Sequence, residues 1–243
     1  MNIIKYSALT LGCILAFSSA AMAAENKTVE KSPEPRHGTS ETPPSRQYYC
    51  YLQKDFNDGS DKIKKPACKA AFVAAGNADW ERARLFNNWN AYSQNLSNGD
   101  VEKLVPDEKL CSAGIADYDS INLPHADWET TPLDVKDGRV TLDYKASQMH
   151  DPSKFRVFVS KPDFNPETSK LKWSDLLESP EVKSEGTPDS RGAIPGHYTL
   201  DVKLPEGYAA DKKAIIYIMW ERNDDPAHET FFSCSDVTLK NAS

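Results

Sequence analysis

The chain has 243 residues, and its 36 acidic and 29 basic side chains give a formal net charge of −7. The basic residues are dispersed rather than clustered, so we expect no nucleic-acid partner. Beyond the first 23 residues, no stretch has the length and apolar character of a membrane-spanning helix, so we expect no membrane partner. The remaining length suits one sizeable domain.

The amino-terminal segment, residues 1–23, has the pattern of a secretory signal peptide. Lys5 supplies a positive charge, Ala8–Phe17 is an apolar stretch, and Ala21–Ala23 is a small-x-small cleavage site. Thr10–Cys13 has a weak likeness to a lipoprotein signal, but the apolar stretch continues past its cysteine. We therefore expect a protein secreted to the extracellular space.

The segment that follows, residues 24–36 (AENKTVEKSPEPR), is charged, contains prolines and has no aromatic side chain. This composition is typical of a disordered segment. We interpret it as an amino-terminal extension or propeptide, and we expect residues 37–243 to form a single domain.

Four cysteines lie beyond the signal peptide: Cys50, Cys68, Cys111 and Cys234. An even number of cysteines in an oxidising compartment predicts two disulfides. No Cys-x-x-Cys pair is present, which argues against a zinc site of thiolates and against a redox dithiol. Spacing alone does not decide which cysteines pair.

Two patterns divide the domain into a helical part and a strand-rich part. Pro66–Gln94 is predicted to be helical, with a break at Gly76 and apolar side chains at helical spacing after it. The later part has runs of alternating or continuous apolar residues, which predict strands: Val140–Lys145, Phe155–Ser160, Tyr198–Leu204, Ala214–Trp220 and Phe231–Leu239. We predict a mainly β fold, an antiparallel sandwich with the helical stretch as an insertion near the amino-terminal end.

His37 and His150 are the candidate metal ligands. If the chain were cut before His37, that residue would offer both an amine and an imidazole, which together chelate a transition metal. His150 lies between two predicted strands, in a loop that can present a ligand. Two histidines so far apart in sequence are weak evidence by themselves.

Several sequence blocks follow one another along nearly the whole domain. They are His37-Gly38, Pro44–Arg46 with Cys50, Val105–Asp107, Leu110–Gly114, Phe155–Pro162, Trp173–Leu176, Trp220-x-Arg222 and Phe231–Val237. In kind and order these blocks resemble those of the bacterial lytic polysaccharide monooxygenases of auxiliary-activity family ten, also called chitin-binding type-4 proteins.

The resemblance implies an immunoglobulin-like or fibronectin-III-like sandwich and one copper ion. By position, His37 would supply its amine and imidazole to the copper, and His150 a second imidazole. Imidazole and amine nitrogens suit copper, which has the highest affinity of the first-row divalent ions. The resemblance also implies the disulfides Cys50–Cys68 and Cys111–Cys234.

The resemblance assigns roles around the copper as well. Phe231 matches the axial aromatic residue, and Glu229 matches a carboxylate that hydrogen-bonds the oxygen co-substrate and steers proton transfer. Arg222 is expected to accompany Glu229, with Trp220 packed beneath the site. Solvated and core positions are the plain alternatives for Glu229 and Phe231 respectively.

Trp89 or Phe86, in the helical part, is expected on a flat substrate surface, where aromatic rings stack on sugars. The alternative for both rings is ordinary core packing.

Two features depart from the family pattern. Gln148 stands two residues before His150, where relatives usually have alanine, and its larger polar side chain is expected to shield or hydrogen-bond the open metal site and so to change its reactivity. Residues 24–36 precede His37, whereas relatives begin at the histidine. Because an amide nitrogen is a poor ligand, the site requires cleavage of the Arg36–His37 bond, and Arg36 suggests a trypsin-like protease.

The sequence thus predicts a copper-dependent enzyme that oxidatively cleaves chitin or cellulose. It would use an external electron donor, with hydrogen peroxide or dioxygen as co-substrate, and act as a monomer. A non-catalytic polysaccharide-binding adhesion protein that retains the extension is the main alternative, and a periplasmic copper-binding protein is a third.

Overall fold

The computed structural model describes residues 37–96, 99–150, 153–188, 195–206, 208, 211–222 and 228–241. The predicted signal peptide and the extension at residues 24–36 lie outside the described residues. Within the described ranges, no helix is long and apolar enough to cross a membrane.

Among the described residues, ten strands and four α-helices make up the regular structure. The strands are β1 (Gly38–Thr42), β2 (Ser93–Asn95), β3 (Thr131–Val135), β4 (Arg139–Ala146), β5 (Lys154–Ser160), β6 (Leu176–Glu178), β7 (Glu181–Pro188), β8 (Gly196–Lys203), β9 (Lys212–Glu221) and β10 (Glu229–Asn241). The helices are α1 (Arg46–Gln53), α2 (Pro66–Ala74), α3 (Asp79–Asn87) and α4 (Val101–Leu104). Short 3₁₀ turns lie at Asp55–Asp58, Leu110–Ser112, Ala116–Asn122 and Trp173–Asp175.

The strands form two sheets that face each other. One has the order β1-β4-β8-β7 and the other β2-β10-β9-β5-β6, with antiparallel neighbours throughout. The short strand β3 adds to β10 in parallel. Buried side chains from both sheets share one core, including Leu142 and Tyr144 from the first and Ile216 and Ile218 from the second. The predicted mainly β, antiparallel sandwich is confirmed.

Strand β9 is the central strand of the larger sheet, and it is buried on both faces. Ile216 and Ile218 point into the core between the sheets, whereas Ile215 and Tyr217 belong to a second core cluster shared with the helices. Such a strand needs apolar side chains at every position, which explains the continuous apolar run predicted from Ala214 to Trp220.

The helices α1 to α4 lie in the chain between β1 and β3. The prediction of a helix reaching Gln94 is wrong: α3 ends at Asn87, and Ser93–Asn95 forms β2 along the edge of β10. Local helical spacing is overridden here because the Trp89 ring turns back to pack on Tyr48, with ring centroids 4.6 Å apart.

Both disulfides implied by the resemblance are present in the structure. Cys50–Cys68 joins α1 to α2, and Cys111–Cys234 joins a 3₁₀ turn to β10. The second bridge ties the region between β1 and β3 to the larger sheet, seven residues before its longest strand ends at Asn241.

Candidate functional site

His37 lies at one end of the sandwich, immediately before β1. Gly38 pairs with Ala146, the last residue of β4, so His37 faces Ser147. The His37 carbonyl accepts hydrogen bonds from the Ser147 backbone N–H at 2.7 Å and from the Ser147 hydroxyl at 2.9 Å. The His37 nitrogen donates to the same hydroxyl at 3.0 Å. The main chain of His37 is thereby held against the end of β4.

His150 follows three residues after Ser147, in the connection between β4 and β5. The Tyr198 hydroxyl, at the start of β8, accepts from the His150 N–H at 2.7 Å and donates to the His150 carbonyl at 3.0 Å. His150 and Ser147 therefore lie at the same end of the sandwich as His37.

The Met149 side chain secures the same loop. A Cβ added to Gly186 or Gly196 would lie 2.6 Å from Met149 Cε or 2.2 Å from Met149 Sδ. The two glycines, on neighbouring strands β7 and β8, therefore leave the space that the Met149 side chain occupies. The residue next to His150 is packed against both strands.

Phe231 and Trp220 form the aromatic floor beside His37. The Phe231 ring is fully buried, and its centroid lies 6.0 Å from that of His37. Trp220, opposite Phe231 in the β9–β10 ladder, is also fully buried, with its ring centroid 5.4 Å from that of Phe231. Trp220 therefore packs against the Phe231 ring.

Arg222 and Glu229 form an ion pair next to this floor. Arg222 Nη1 lies 3.1 Å from Glu229 Oε2, and the Arg222 N–H donates to the Glu229 carbonyl at 3.1 Å. The arginine side chain is 1% exposed and the glutamate side chain 32% exposed. The guanidinium lies 5.9 Å from the Phe231 ring centroid. Glu229 thus presents a carboxylate partly to solvent while Arg222 is enclosed.

Burial, together with the positive charge of Arg222, lowers the pKa of His37 below its usual value. Burial is the larger cause, because it disfavours the charged imidazolium. A lowered pKa keeps the imidazole neutral over a wider pH range, and a neutral imidazole is the form that binds metals.

The other residues that the sequence predicts near the site differ in their exposure to solvent. Gln148 is partly exposed, between Ser147 and His150. Trp89 is also partly exposed, and the neighbouring Asn90 carbonyl accepts from the Gly38 N–H at 3.2 Å, which brings this segment beside β1. The prediction that Phe86 lies on the surface is wrong.

Phe86 is fully buried because it belongs to the core cluster beneath the helices. Its ring lies 5.2 Å from Phe56 and 6.1 Å from Phe72, centroid to centroid. Trp89 is therefore the remaining aromatic candidate for a substrate surface.

The candidate metal ligands are nitrogen atoms of two histidines. Among the described residues, no three His, Cys, Asp or Glu side chains come together as a metal-binding group. His37 and His150 would provide two imidazoles, and the main-chain nitrogen of His37 would be a third donor. The residues fit copper in a two-histidine site once that nitrogen is an amine.

Sequence reasoning missed Ser147, Met149 and Tyr198. Ser147 and Tyr198 hydrogen-bond the main chains of the two histidines, and Met149 packs under the loop that carries His150. None of the three belongs to a sequence motif. The only sequence signal is proximity: Ser147 and Met149 flank Gln148, and Tyr198 begins an alternating strand run.

The chain is similar to known proteins over most of its length. Residues 37–237 match the family model described as lytic polysaccharide mono-oxygenase, cellulose-degrading. The chain is 36% identical to the chitin-binding protein CbpD of Pseudomonas aeruginosa over 212 residues, which are 85% of this chain and 48% of that protein. It is 36% identical over 206 residues to a lytic cellulose monooxygenase of Streptomyces ambofaciens, covering 84% of this chain and 53% of that one.

A solved structure adds support at the level of the fold. The cellulose-active lytic polysaccharide monooxygenase CelS2, in complex with copper, is 33% identical with a TM-score of 0.62, and the match covers 85% of this chain and all of CelS2's. The chain spans about half the length of the curated relatives it matches. The family model covers most of this chain, and the chain therefore belongs to the lytic polysaccharide monooxygenase family.

Proposed function

We propose that this chain, once it begins at His37, is a secreted copper-dependent monooxygenase that oxidatively cleaves glycosidic bonds in chitin or cellulose. The observation that carries the proposal is the meeting of His37 and the His150 loop at one end of the sandwich. Two hydroxyls hold their main chains there, and the buried Phe231 ring lies 6.0 Å from the His37 ring.

His37 would hold one copper ion through its amine and imidazole, and His150 through its imidazole. When bound, copper supplies the redox chemistry that activates hydrogen peroxide or dioxygen. Phe231, whose buried ring lies beside His37, would keep water from that side of the site. Glu229, paired with Arg222 at 3.1 Å, would hydrogen-bond the co-substrate and carry a proton on its carboxylate.

The overall reaction inserts an oxygen atom into a C–H bond beside the glycosidic oxygen. With hydrogen peroxide, one molecule is consumed and one water is released for each bond hydroxylated. With dioxygen, an external donor supplies two electrons, two protons are taken up, and one water is released. The hydroxylated carbon then loses its bond to the glycosidic oxygen, and the chain breaks.

The substrate class is proposed from relatives and from one aromatic side chain. The matched proteins are named for chitin binding and for cellulose oxidation. Trp89 is partly exposed, and the neighbouring Asn90 bonds to Gly38, which supports a role in which the Trp89 ring would stack on a sugar beside His37. Gln148, also partly exposed, would narrow access to the same region.

Processing before His37 is part of the proposal. In the intact chain the His37 nitrogen is an amide, and it donates its hydrogen to Ser147. An amide nitrogen lacks the available lone pair of an amine, so residues 24–36 must be removed before this nitrogen binds copper. Arg36 marks the bond for a trypsin-like protease.

The test combines terminus mapping with product analysis. Secreted protein is analysed by intact mass, and the form that begins at His37 is titrated with copper(II) and incubated with chitin or cellulose, a reductant and hydrogen peroxide. We expect tight equimolar copper binding and oxidised oligosaccharides from at least one substrate. Removal of copper with a chelator should abolish the products, and their persistence would contradict the proposal.

A non-catalytic polysaccharide-binding protein is the second candidate. It is favoured by one observation, that residues 24–36 make the His37 nitrogen an amide in the intact chain. Under this alternative, all secreted protein retains the extension and binds chitin or cellulose, and added copper changes neither binding nor products.

A further inference from the structure

The main chains of the two candidate ligands share one hydrogen-bond pattern. At each histidine, a single hydroxyl group accepts from the backbone N–H and donates to the backbone C=O of the same residue. For His37 the hydroxyl is Ser147 Oγ, at 3.0 and 2.9 Å. For His150 it is Tyr198 Oη, at 2.7 and 3.0 Å.

A hydroxyl has one hydrogen and two lone pairs, so each of these contacts fixes its orientation. Because Ser147 Oγ directs its hydrogen to the His37 carbonyl, a lone pair faces the His37 nitrogen. The Ser147 N–H also donates to the same carbonyl at 2.7 Å. Three hydrogen bonds therefore hold the residue that would supply two of the metal-binding nitrogens.

The Tyr198 hydroxyl is itself held in place. The Tyr198 side chain is almost fully buried, and Ser153 Oγ lies 3.1 Å from its hydroxyl oxygen. Ser153 Oγ also accepts from the Trp220 indole N–H at 2.9 Å and contacts the His150 carbonyl. Since Trp220 packs on Phe231, this network links the His150 loop to the aromatic floor beside His37.

We propose that Ser147 and Tyr198 are positioning residues that hold His37 and His150 ready for copper. This inference rests on the proposed function. Ser147 accepts a hydrogen that the His37 nitrogen carries both as an amide and as an amine. The nitrogen therefore keeps its orientation when the bond before it is cut, and the lone pair is directed away from Ser147. Positioned ligands bind a metal without losing conformational freedom at that moment.

The main experiment compares Ser147→Ala, Ser147→Thr and Tyr198→Phe with the unsubstituted chain, all beginning at His37. A chain that begins at His37 is suitable for this experiment, because the whole solved chain of CelS2 matches 85% of the present chain. We expect Ser147→Ala and Tyr198→Phe each to weaken copper(II) affinity by about 10- to 100-fold. We also expect them to change the copper(II) electron paramagnetic resonance spectrum, whereas Ser147→Thr retains the hydroxyl and both properties.

Matched controls remove equivalent hydroxyls elsewhere. Tyr208→Phe loses a bond to the Ser160 carbonyl, and Ser179→Ala loses a bond to the Lys203 carbonyl at the opposite end of the smaller sheet. Both controls should leave copper affinity and the spectrum unchanged. If Ser147→Ala and Tyr198→Phe bind copper like the unsubstituted chain, the proposal is overturned.

A metal-free measurement separates this proposal from the proposed function. In the chain that retains the extension, amide hydrogen exchange should become about tenfold faster at His37 in Ser147→Ala and at His150 in Tyr198→Phe. Unchanged exchange rates would overturn the positioning role. If the exchange rates rise but the unsubstituted chain beginning at His37 binds no copper, the proposed function fails, and with it the claim that the two hydroxyls serve a metal.

Discussion

Gly38 leaves no room for a side chain beside His37. A Cβ at this position would lie 2.6 Å from the Tyr144 ring, 2.9 Å from the Lys145 carbonyl oxygen and 3.0 Å from the Trp220 ring. Gly38→Ala must therefore displace β1 or the aromatic side chains. We expect a loss of about 1–3 kcal/mol in the free energy of unfolding, measured by urea denaturation.

The displacement should also reach the neighbouring His37 and weaken copper binding. Gly138 provides the control: it has a φ of 73°, and a Cβ there meets nothing within 4 Å. Gly138→Ala strains its own turn, at the opposite end of β4, and should leave copper affinity unchanged. Equal copper affinities in the two variants would contradict the claim that a side chain at position 38 displaces His37.

Glu229 offers a test of proton handling. Glu229→Gln keeps the shape of the side chain but removes its negative charge. If the carboxylate carries a proton during turnover, the rate of product formation should fall about 10- to 100-fold, while copper affinity stays unchanged. The readout is the initial rate of oxidised oligosaccharide release.

The matched control for this substitution is Glu178→Gln on β6. Glu178 also pairs with an arginine, Arg156, at 2.7 Å, but on an exposed part of the larger sheet. It should retain full activity. A Glu229→Gln variant as active as the control would exclude the proposed proton role.

At the scale of elements, a buried ion pair connects α1 to β10. Arg46 Nε and Nη2 donate to the two carboxylate oxygens of Asp236 at 2.6 and 2.9 Å, and both side chains are 3% exposed. Removing one partner leaves the other charge buried and unpaired. We expect Asp236→Ala to lower the free energy of unfolding by about 3–5 kcal/mol.

The comparison is Glu178→Ala, which breaks the more exposed pair with Arg156. Exposed pairs contribute about 0.2–1 kcal/mol because water screens them. Both losses can be measured in the same urea titration. Equal losses in the two variants would show that burial of the Arg46–Asp236 pair does not increase its contribution to the free energy of unfolding.

An element can be predicted from the sequence when a local pattern of apolar residues determines it, and not when contacts with distant residues determine it. Strands β4, β5, β8 and β9 are predictable, because one or both faces are buried and the apolar pattern follows from that. Strand β2 is not predictable, since Ser93–Asn95 carries no apolar pattern and is ordered by contacts with distant residues, among them its pairing with the start of β10. The end of α3 is likewise set by the packing of Trp89 on Tyr48.

The site shows the same division. His37 and Phe231 are assigned from sequence blocks that match a family, and His150 from its position between two of those blocks. Ser147 and Tyr198 are not found, since a hydroxyl that holds a main-chain group leaves no pattern along the chain. Phe86 and Trp89 look alike in sequence, and only the packing of the helices shows that Phe86 is buried.

At the scale of the whole molecule, the two disulfides close loops of very different length. Cys111–Cys234 spans 123 residues and Cys50–Cys68 spans 18. Restricting the longer loop removes more freedom from the unfolded chain, so replacing both cysteines of that pair by serine should cost about 4–5 kcal/mol, against about 3 kcal/mol for the shorter loop. Thermal and urea unfolding of the two double variants measures the difference. The same loss in both would mean that loop length is not the controlling factor.

The central claim concerns a site that is assembled by the fold and completed by cleavage before His37. Its most direct test is copper(II) titration of two forms of the chain, one beginning near residue 24 and one beginning at His37, each verified by intact mass. We predict that the form beginning at His37 binds one copper tightly and that the extended form binds it at least about 100-fold more weakly, because it lacks the amine ligand. Equal copper affinity in the two forms, or no binding by the form beginning at His37, would contradict the account.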